Sequence, residues 1–268
     1  MRRCAVCGLS AVSLLLMASF IFGQGKRSQS DADISAIGHR DIARTPNSYT
    51  VEQEVELGNK LALTWDKQFR FISDPAITSY VQRVNAAIEQ NSDKHLPVTI
   101  KLIDAEEVKA FALPGGHLYI TRGLLLRLEN EGQLASLLAR GVARVALRSY
   151  TNIATIMDRS PSRRILPGPG VSATGSAQFQ ELDRDAELDA DYFGVQYVYK
   201  SGYDPTCFTD FVQRIWGTNP IPKWFRDYPP LPKRLRALQK EIAGIMPTRE
   251  GAITTTPEFQ EFRVALMQ

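Results

Sequence analysis

Glu131-Gly132-Gln133-Leu134-Ala135-Ser136-Leu137-Leu138-Ala139-Arg140-Gly141-Val142-Ala143-Arg144 is the stretch on which the fold turns. It lies in a run, residues 130–149, that is apolar on nearly every side, with Leu134, Leu137, Leu138, Val142, Val145, Ala146 and Leu147. A helix apolar all round belongs at the centre of a domain, so the run predicts a buried central helix. Arg140 and Arg144 stand four residues apart and share one face of it. Two side chains on successive turns converge on one point, which is the arrangement a zinc-binding helix needs. Guanidinium is permanently charged and has no lone pair for a cation. Two such charges in apolar surroundings are costly unless anions meet them.

An acidic helix expected from about 178 to 200, stopping at Gly202, offers those anions. Glu187 and Asp191 are also four apart, preceded by Arg184 and followed by Gly194. Alone, that pair reads as readily as a solvated helix face.

Outward from these two helices the periods are plain. Residues 51–71 place apolar side chains near helical spacing, with Glu52, Glu54 and Glu56 at the end the macrodipole favours. Asp74-Pro75 starts a second helix. Val98, Ile100 and Leu102 then alternate as a strand. A second strand around 108–112 meets Pro114-Gly115-Gly116, and a third covers 117–121, which reads as a small antiparallel hairpin or meander. Residues 160–176 form a Pro- and Gly-rich loop, and shorter helices follow near 205–216, 230–244 and 257–266. The class is α+β, mostly helical, with a small antiparallel sheet beside a buried central helix.

The order of several motifs then carries a resemblance. Ala110-Phe111-Ala112-Leu113-Pro114-Gly115-Gly116, a strand, and Gly123-Leu124-Leu125 resemble the hairpin before the zinc helix in metallopeptidase family 48, the family of the HtpX and BepA proteases and the CAAX prenyl endopeptidases. Residues 131–144, continued by Val145-Ala146-Leu147-Arg148, are similar to its Glu-x-x-Leu-x-x-x-Leu-x-His-Glu-x-x-His helix. Arg184-Asp185-Ala186-Glu187-Leu188-Asp189-Ala190-Asp191 resembles its Arg-x-x-Glu-x-x-Ala-Asp, where the glutamate is the third zinc ligand. Gly194-Val195-Gln196-Tyr197, Gly202-Tyr203-Asp204-Pro205 and Pro229-Pro230 with Arg234 extend the likeness over roughly 50–245. The resemblance implies a zincin-like metallopeptidase fold.

The departures bear on function. Where the family has His-Glu-x-x-His, this chain has Arg140-Gly141-Val142-Ala143-Arg144, and Tyr228 stands where a histidine is common. Arg140, Arg144 and Glu187 are thus degenerate zinc-site positions, with Asp191, Tyr228 and Arg234 around them. No zinc or other cofactor is expected, and no catalytic residue. In the family the metal polarises the carbonyl and acidifies its water while the glutamate takes a proton, and neither role has a carrier here. Two guanidiniums equal the charge of zinc held by two neutral histidines, so ion pairs from Arg140 and Arg144 to Glu187, with Asp191 beside it, are expected to clamp the two helices. His39 lies in the N-terminal arm, His95 beside Lys94, and His117 at the start of a strand, so none restores a ligand set.

Composition bounds the rest. The chain has 268 residues, 44% hydrophobic and 23% charged, with a net charge of +3. Arg2 and Arg3 account for most of that excess, leaving no concentrated basic stripe and no case for nucleic acid. The two arginines, the apolar stretch 9–22 and the Gly23/Gln24 junction read as a secretory signal over 1–23, with an uncleaved N-terminal anchor as the alternative. Residues 24–48, polar and without period, read as a flexible arm before a domain over 49–268. Past the signal only Cys207 remains, a small buried hydrophobe in a helical pattern.

Three functions remain open at this level. One is an exported, periplasmic or cell-envelope pseudopeptidase that binds extended or misfolded polypeptide along a strand edge at His117, Leu118, Tyr119 and Ile120, or regulates an active protease. The second is a zinc endopeptidase of envelope protein quality control working through atypical ligands. The third is a structural membrane-associated subunit.

Overall fold

A computed structural model describes residues 29–159, 177–217 and 229–268 of the chain. The expected N-terminal signal or anchor, the 160–176 loop and Tyr228 fall outside the described residues. The Thr50 hydroxyl accepts from the Gln53 N–H while the Gln53 side chain accepts from the Thr50 N–H, and this reciprocal cap starts α1 (Val51–Asp66). The helical period seen to Phe71 is cut short, and Phe71 instead makes an antiparallel bridge to Ile103. Asp74 caps α2 (Pro75–Gln90) with Pro75 in its first turn, as its sequence predicts.

The sheet has three strands, β1 (Thr99–Ile103), β2 (Ala110–Leu113) and β3 (His117–Thr121), in the order β1-β3-β2. β2 and β3 form the expected antiparallel hairpin, but β1 pairs parallel with β3, with Ile100 opposite Leu118. The sheet is therefore mixed, not antiparallel. Glycine makes the insertion of β3 feasible. Gly115 and Gly116 take φ of 71° and 89° to double the chain back. A Cβ on Gly116 would lie 2.2 Å from the Pro97 carbonyl oxygen, so only glycine lets β3 start beside the approach to β1.

One sheet face presents Leu118 and Ile120 to the main core. The other carries Phe111 stacked on Tyr119, ring centroids 4.8 Å apart, with Trp65, Phe69 and Phe71 packed around them. After the short α3 (Arg122–Leu125), α4 (Glu131–Ala146) runs through the centre. Every residue of α4 except Arg144 is buried, as an all-round apolar helix requires. Its first residue, Glu131, is 3% exposed and accepts the hydroxyl hydrogens of Tyr80 at 2.6 Å, Tyr203 at 2.7 Å and Thr256. That carboxylate joins α2 and two later segments to the helix end where negative charge is favoured. The remaining helices are α5 (Ser149–Arg159), not anticipated as a separate element, then α6 (Ala177–Lys200), α7 (Thr206–Trp216), α8 (Leu231–Ile245) and α9 (Pro257–Met267). Among the described residues no helix is long and apolar enough to cross a membrane.

Residues 30–48 are not the flexible arm that their composition suggests. Ile37 and Ile42 are buried in the core, and Arg40 is 6% exposed. The Arg40 guanidinium donates to Asp93 Oδ2 at 2.5 and 3.0 Å, to the Asp31 carbonyl at 2.7 Å and to Gln196 Oε1 at 2.8 Å. Further along, Arg44 pairs with Asp189 at 2.8 Å, and the Asn47 side chain donates to Thr151. The segment is a strap, fixed because a buried guanidinium cannot leave its three acceptors without loss.

Arg148, just past the end of α4, takes φ of 50°, a left-handed position that glycine would occupy freely. Its side chain explains why it is kept. Nε donates to Glu54 at 2.6 Å and Nη2 to the Tyr49 carbonyl at 2.8 Å, and Glu54 is only 2% exposed. Arg148→Gly relieves about 1 kcal/mol of backbone strain but leaves Glu54 without its cation, a loss on the order of 3–5 kcal/mol. The expected net result is destabilisation of about 2–4 kcal/mol in urea unfolding. A variant as stable as wild type would show that strain and ion pair cancel.

Candidate functional site

α4 and α6 lie against each other, and Gly194 sets how closely. A Cβ there would sit 3.2 Å from the Arg140 backbone nitrogen and 3.0 Å from the Phe208 ring. Along this contact α6 presents Asp183, Glu187 and Asp191, one on each successive turn. Arg144 of α4 joins the first two carboxylates, bonding Asp183 Oδ1 at 3.1 Å through Nη2 and Glu187 Oε1 through Nη1. Arg140 joins the next two, pairing Nη2 with Glu187 Oε2 and lying 3.3 Å through Nε from Asp191 Oδ1. Arg234 of α8 closes the row, donating Nε and Nη2 to the two oxygens of Asp191 at 2.6 and 2.7 Å.

Six charges therefore alternate in sign along one seam: Asp183, Arg144, Glu187, Arg140, Asp191, Arg234. The seam is graded. The side chains of Asp183 and Arg144 are 30% and 20% exposed, whereas Glu187, Asp191 and Arg234 are within 3% of full burial. Trp216 of α7 covers the dry end, with the Arg234 and Arg140 guanidinium carbons 4.0 and 5.3 Å from its ring centroid.

The structure brings together Arg140, Arg144, Glu187, Asp191 and Arg234, all chosen from sequence. Asp183 and Trp216 were missed. Asp183 had a legible signal, since it precedes Glu187 by the same four residues that separate Glu187 from Asp191. Trp216 had none, because only packing brings α7 to this seam.

Gly141 stands one residue beyond Arg140. A Cβ built on it would lie 2.6 Å from Leu118 Cδ2 of β3, so the space a longer side chain would need is already filled by leucine.

The peptide-binding edge expected at His117, Leu118, Tyr119 and Ile120 is not an edge. β3 is paired on both sides, and Leu118, Tyr119 and Ile120 are 3%, 0% and 0% exposed. The sequence could not show this, because alternation is the same for a central and an outer strand. The edge on this side belongs to β2. The Thr121 N–H donates to the Lys109 carbonyl, so the alternating backbone groups of Ala110 and Ala112 face outward.

None of the three histidines reaches the seam. His39 and His95 are exposed, and His117 shares a hydrogen with Asn59 Oδ1 at 3.0 Å on the α1 side of the sheet. Burial and the Lys101 ammonium hold the His117 imidazole below its usual pKa. Cys207 is 2% exposed, and burial pushes its thiol up to about 12, which leaves it un-ionised.

The donor set at the seam does not fit zinc. Zinc takes thiolate, neutral imidazole or free carboxylate in a tetrahedron. Here both oxygens of Glu187 are engaged by guanidinium groups, which offer no lone pair. Among the described residues no three His, Cys, Asp or Glu side chains are grouped so as to hold a metal ion.

The model of peptidase family M48 matches residues 73–242, more than half of the chain. The chain is 24% identical over 188 residues to the beta-barrel assembly-enhancing protease of Escherichia coli strain K12, covering 63% of this chain and 39% of that one. It is 24% identical over 185 residues to the protein of the same name from Yersinia pestis, covering 62% and 38%. To the mitochondrial metalloendopeptidase OMA1 of Bos taurus it is 22% identical over 209 residues, covering 69% and 40%. It thus spans about two fifths of the length of these relatives.

Proposed function

Since the chain belongs to peptidase family M48, we propose that it is a member without peptidase chemistry, acting in protein quality control of the cell envelope as a binder of extended polypeptide or a regulator of an active protease. One observation carries the reading: Arg140 and Arg144 hold the two oxygens of Glu187, the family's third zinc-ligand position. Metal charge is replaced by fixed charge of the same size. The seam is then a joint between α4 and α6 that needs no ion.

The envelope setting rests on the relatives named as beta-barrel assembly-enhancing proteases and on the apolar stretch over residues 9–22. Polypeptide as the ligand rests on the protease relatives and on the outward backbone groups of β2, a strand edge of the kind that pairs with extended chains.

The test is metal content and proteolysis measured together on the purified chain. Sub-stoichiometric zinc by mass spectrometry, and casein left intact with and without a chelator, are the expected results. Stoichiometric zinc with chelator-sensitive casein cleavage would overturn the reading in favour of an endopeptidase with an atypical ligand set.

A further inference from the structure

The outer side of β1 carries a second surface, unrelated to the α4–α6 seam. Residues 70–72 lie antiparallel against the end of β1, with the Ile72 N–H donating to the Leu102 carbonyl at 2.8 Å and the Asp104 N–H donating to the Arg70 carbonyl at 2.9 Å. Pro75 then opens α2 and the chain turns away, so among the described residues the first half of β1 has no strand on its outer side.

Backbone groups alternate sides along a strand. With Leu102 C=O and Asp104 N–H directed outward, the N–H and C=O of Ile100 are directed outward too. Val98 follows the same alternation, its N–H donating to Glu89 Oε1 at 3.3 Å. A cleft of about 450 Å³ separates this stretch from α2, lined by Gln82, Asn85, Glu89, Lys94, Val98 and Ile100 among others. Its volume lies within the range of ligand clefts, roughly 300–1,000 Å³.

The α2 wall holds a polar atom that lacks a partner. Asn85 is 4% exposed, and its Oδ1 has no hydrogen-bond donor among the described residues. Its orientation is fixed, because Nδ2 donates to Glu89 and the reversed amide would set two oxygens face to face. Glu89 also pairs with Lys94 at 2.8 Å, so the charged groups of the cleft satisfy each other. What the cleft lacks is therefore one backbone donor–acceptor pair for Ile100 and one hydrogen for Asn85.

We propose that this cleft takes an extended, uncharged segment of another polypeptide as an added strand. One residue of the segment exchanges both backbone hydrogen bonds with Ile100, and an adjacent hydroxyl or amide side chain donates to Asn85 Oδ1. Only a peptide backbone offers donor and acceptor at the spacing a strand edge presents. The internal Glu89–Lys94 pair leaves no net charge for an ionic ligand to answer. The proposal stands whether or not the α4–α6 seam has lost peptidase chemistry.

The experiment is amide-resolved hydrogen exchange on the full chain, with reduced, carboxymethylated α-lactalbumin as the unfolded probe. At saturation the Ile100 amide is expected to slow at least about tenfold. Ile100→Pro removes the outward N–H, a change an edge strand tolerates, together with an apolar side chain packed against the core. It and Asn85→Ala are each expected to weaken probe binding about tenfold, the size of one lost interaction of about 1.4 kcal/mol. Ala112→Pro, on the opposite edge of the sheet, is expected to leave the Ile100 protection unchanged. Unaltered Ile100 exchange at saturation, or wild-type affinity in both variants, would overturn the proposal. Ile100 protection that rises with protein concentration in the absence of probe would overturn it too, in favour of a second copy of this chain.

Discussion

Glu187→Ala is expected to cost about 3–5 kcal/mol of stability, the effect of breaking a buried charge pair from one side. The two guanidiniums that share Glu187 differ in what they can do next. Arg144 is a fifth exposed and retains Asp183, so it turns toward water at modest loss. Arg140 is 7% exposed and lies 3.3 Å from Asp191, which Arg234 already holds in two bonds, with the Trp216 ring beside it. Most of the cost therefore falls on Arg140. At roughly 2–4 °C per kcal/mol for a chain of this size, the thermal midpoint drops by about 6–20 °C. Circular dichroism melts with and without added zinc measure it. A variant that melts with the wild type would show that the seam is not a joint. Replacing Arg140, Arg144 and Glu187 together by leucine provides the complementary outcome, a stability near wild type, because apolar residues of similar volume fill such seams without the desolvation cost.

The second large effect is expected at the strap. Arg40→Ala removes the partner of Asp93, which is 1% exposed and keeps the hydrogens of Tyr197 and the Gly38 N–H. Breaking this pair costs on the order of 3–5 kcal/mol. The loss is local before it is global, because the guanidinium is what ties residues 31, 93 and 196 together. Brief trypsin treatment under native conditions is expected to cut the variant after Arg44 while the wild type resists, with mass spectrometry reporting the site. Equal resistance at Arg44 and an unchanged melting midpoint would mean that Ile37, Ile42 and the Arg44–Asp189 pair hold the strap without Arg40.

That strap marks the limit of what the sequence makes legible. Residues 30–48 carry few apolar side chains, and composition alone places such a stretch in solvent. One buried arginine with three acceptors reverses that, and no periodicity announces it. Helices were easier. The all-round apolar run of α4 and the Asp74-Pro75 start of α2 are local signals, and both elements begin within a residue of where they are read. Strand positions were legible for the same reason, as β3 shows with its bounds at 117 and 121. The β2–β3 hairpin was legible too, but the parallel pairing of β1 was not, since it depends on Gly116 approaching Pro97 across the fold. The seam lies between these cases. Four-residue spacing on α4 and α6 places the charges on matching faces, but which carboxylate serves which arginine is settled by packing.

Leu118 has a consequence for the history of this chain. Its methyl group lies 2.6 Å from where the Cβ of any residue but glycine at 141 would sit. A descendant regaining histidines at 140 and 144 would still find the end of the Leu118 side chain in the space beside residue 141. Glutamate at 141 requires a smaller or displaced residue at 118, in the middle strand of the sheet. On the reading proposed here, the way back to a peptidase needs a shift of the Leu118 side chain as well as new residues at 140, 141 and 144.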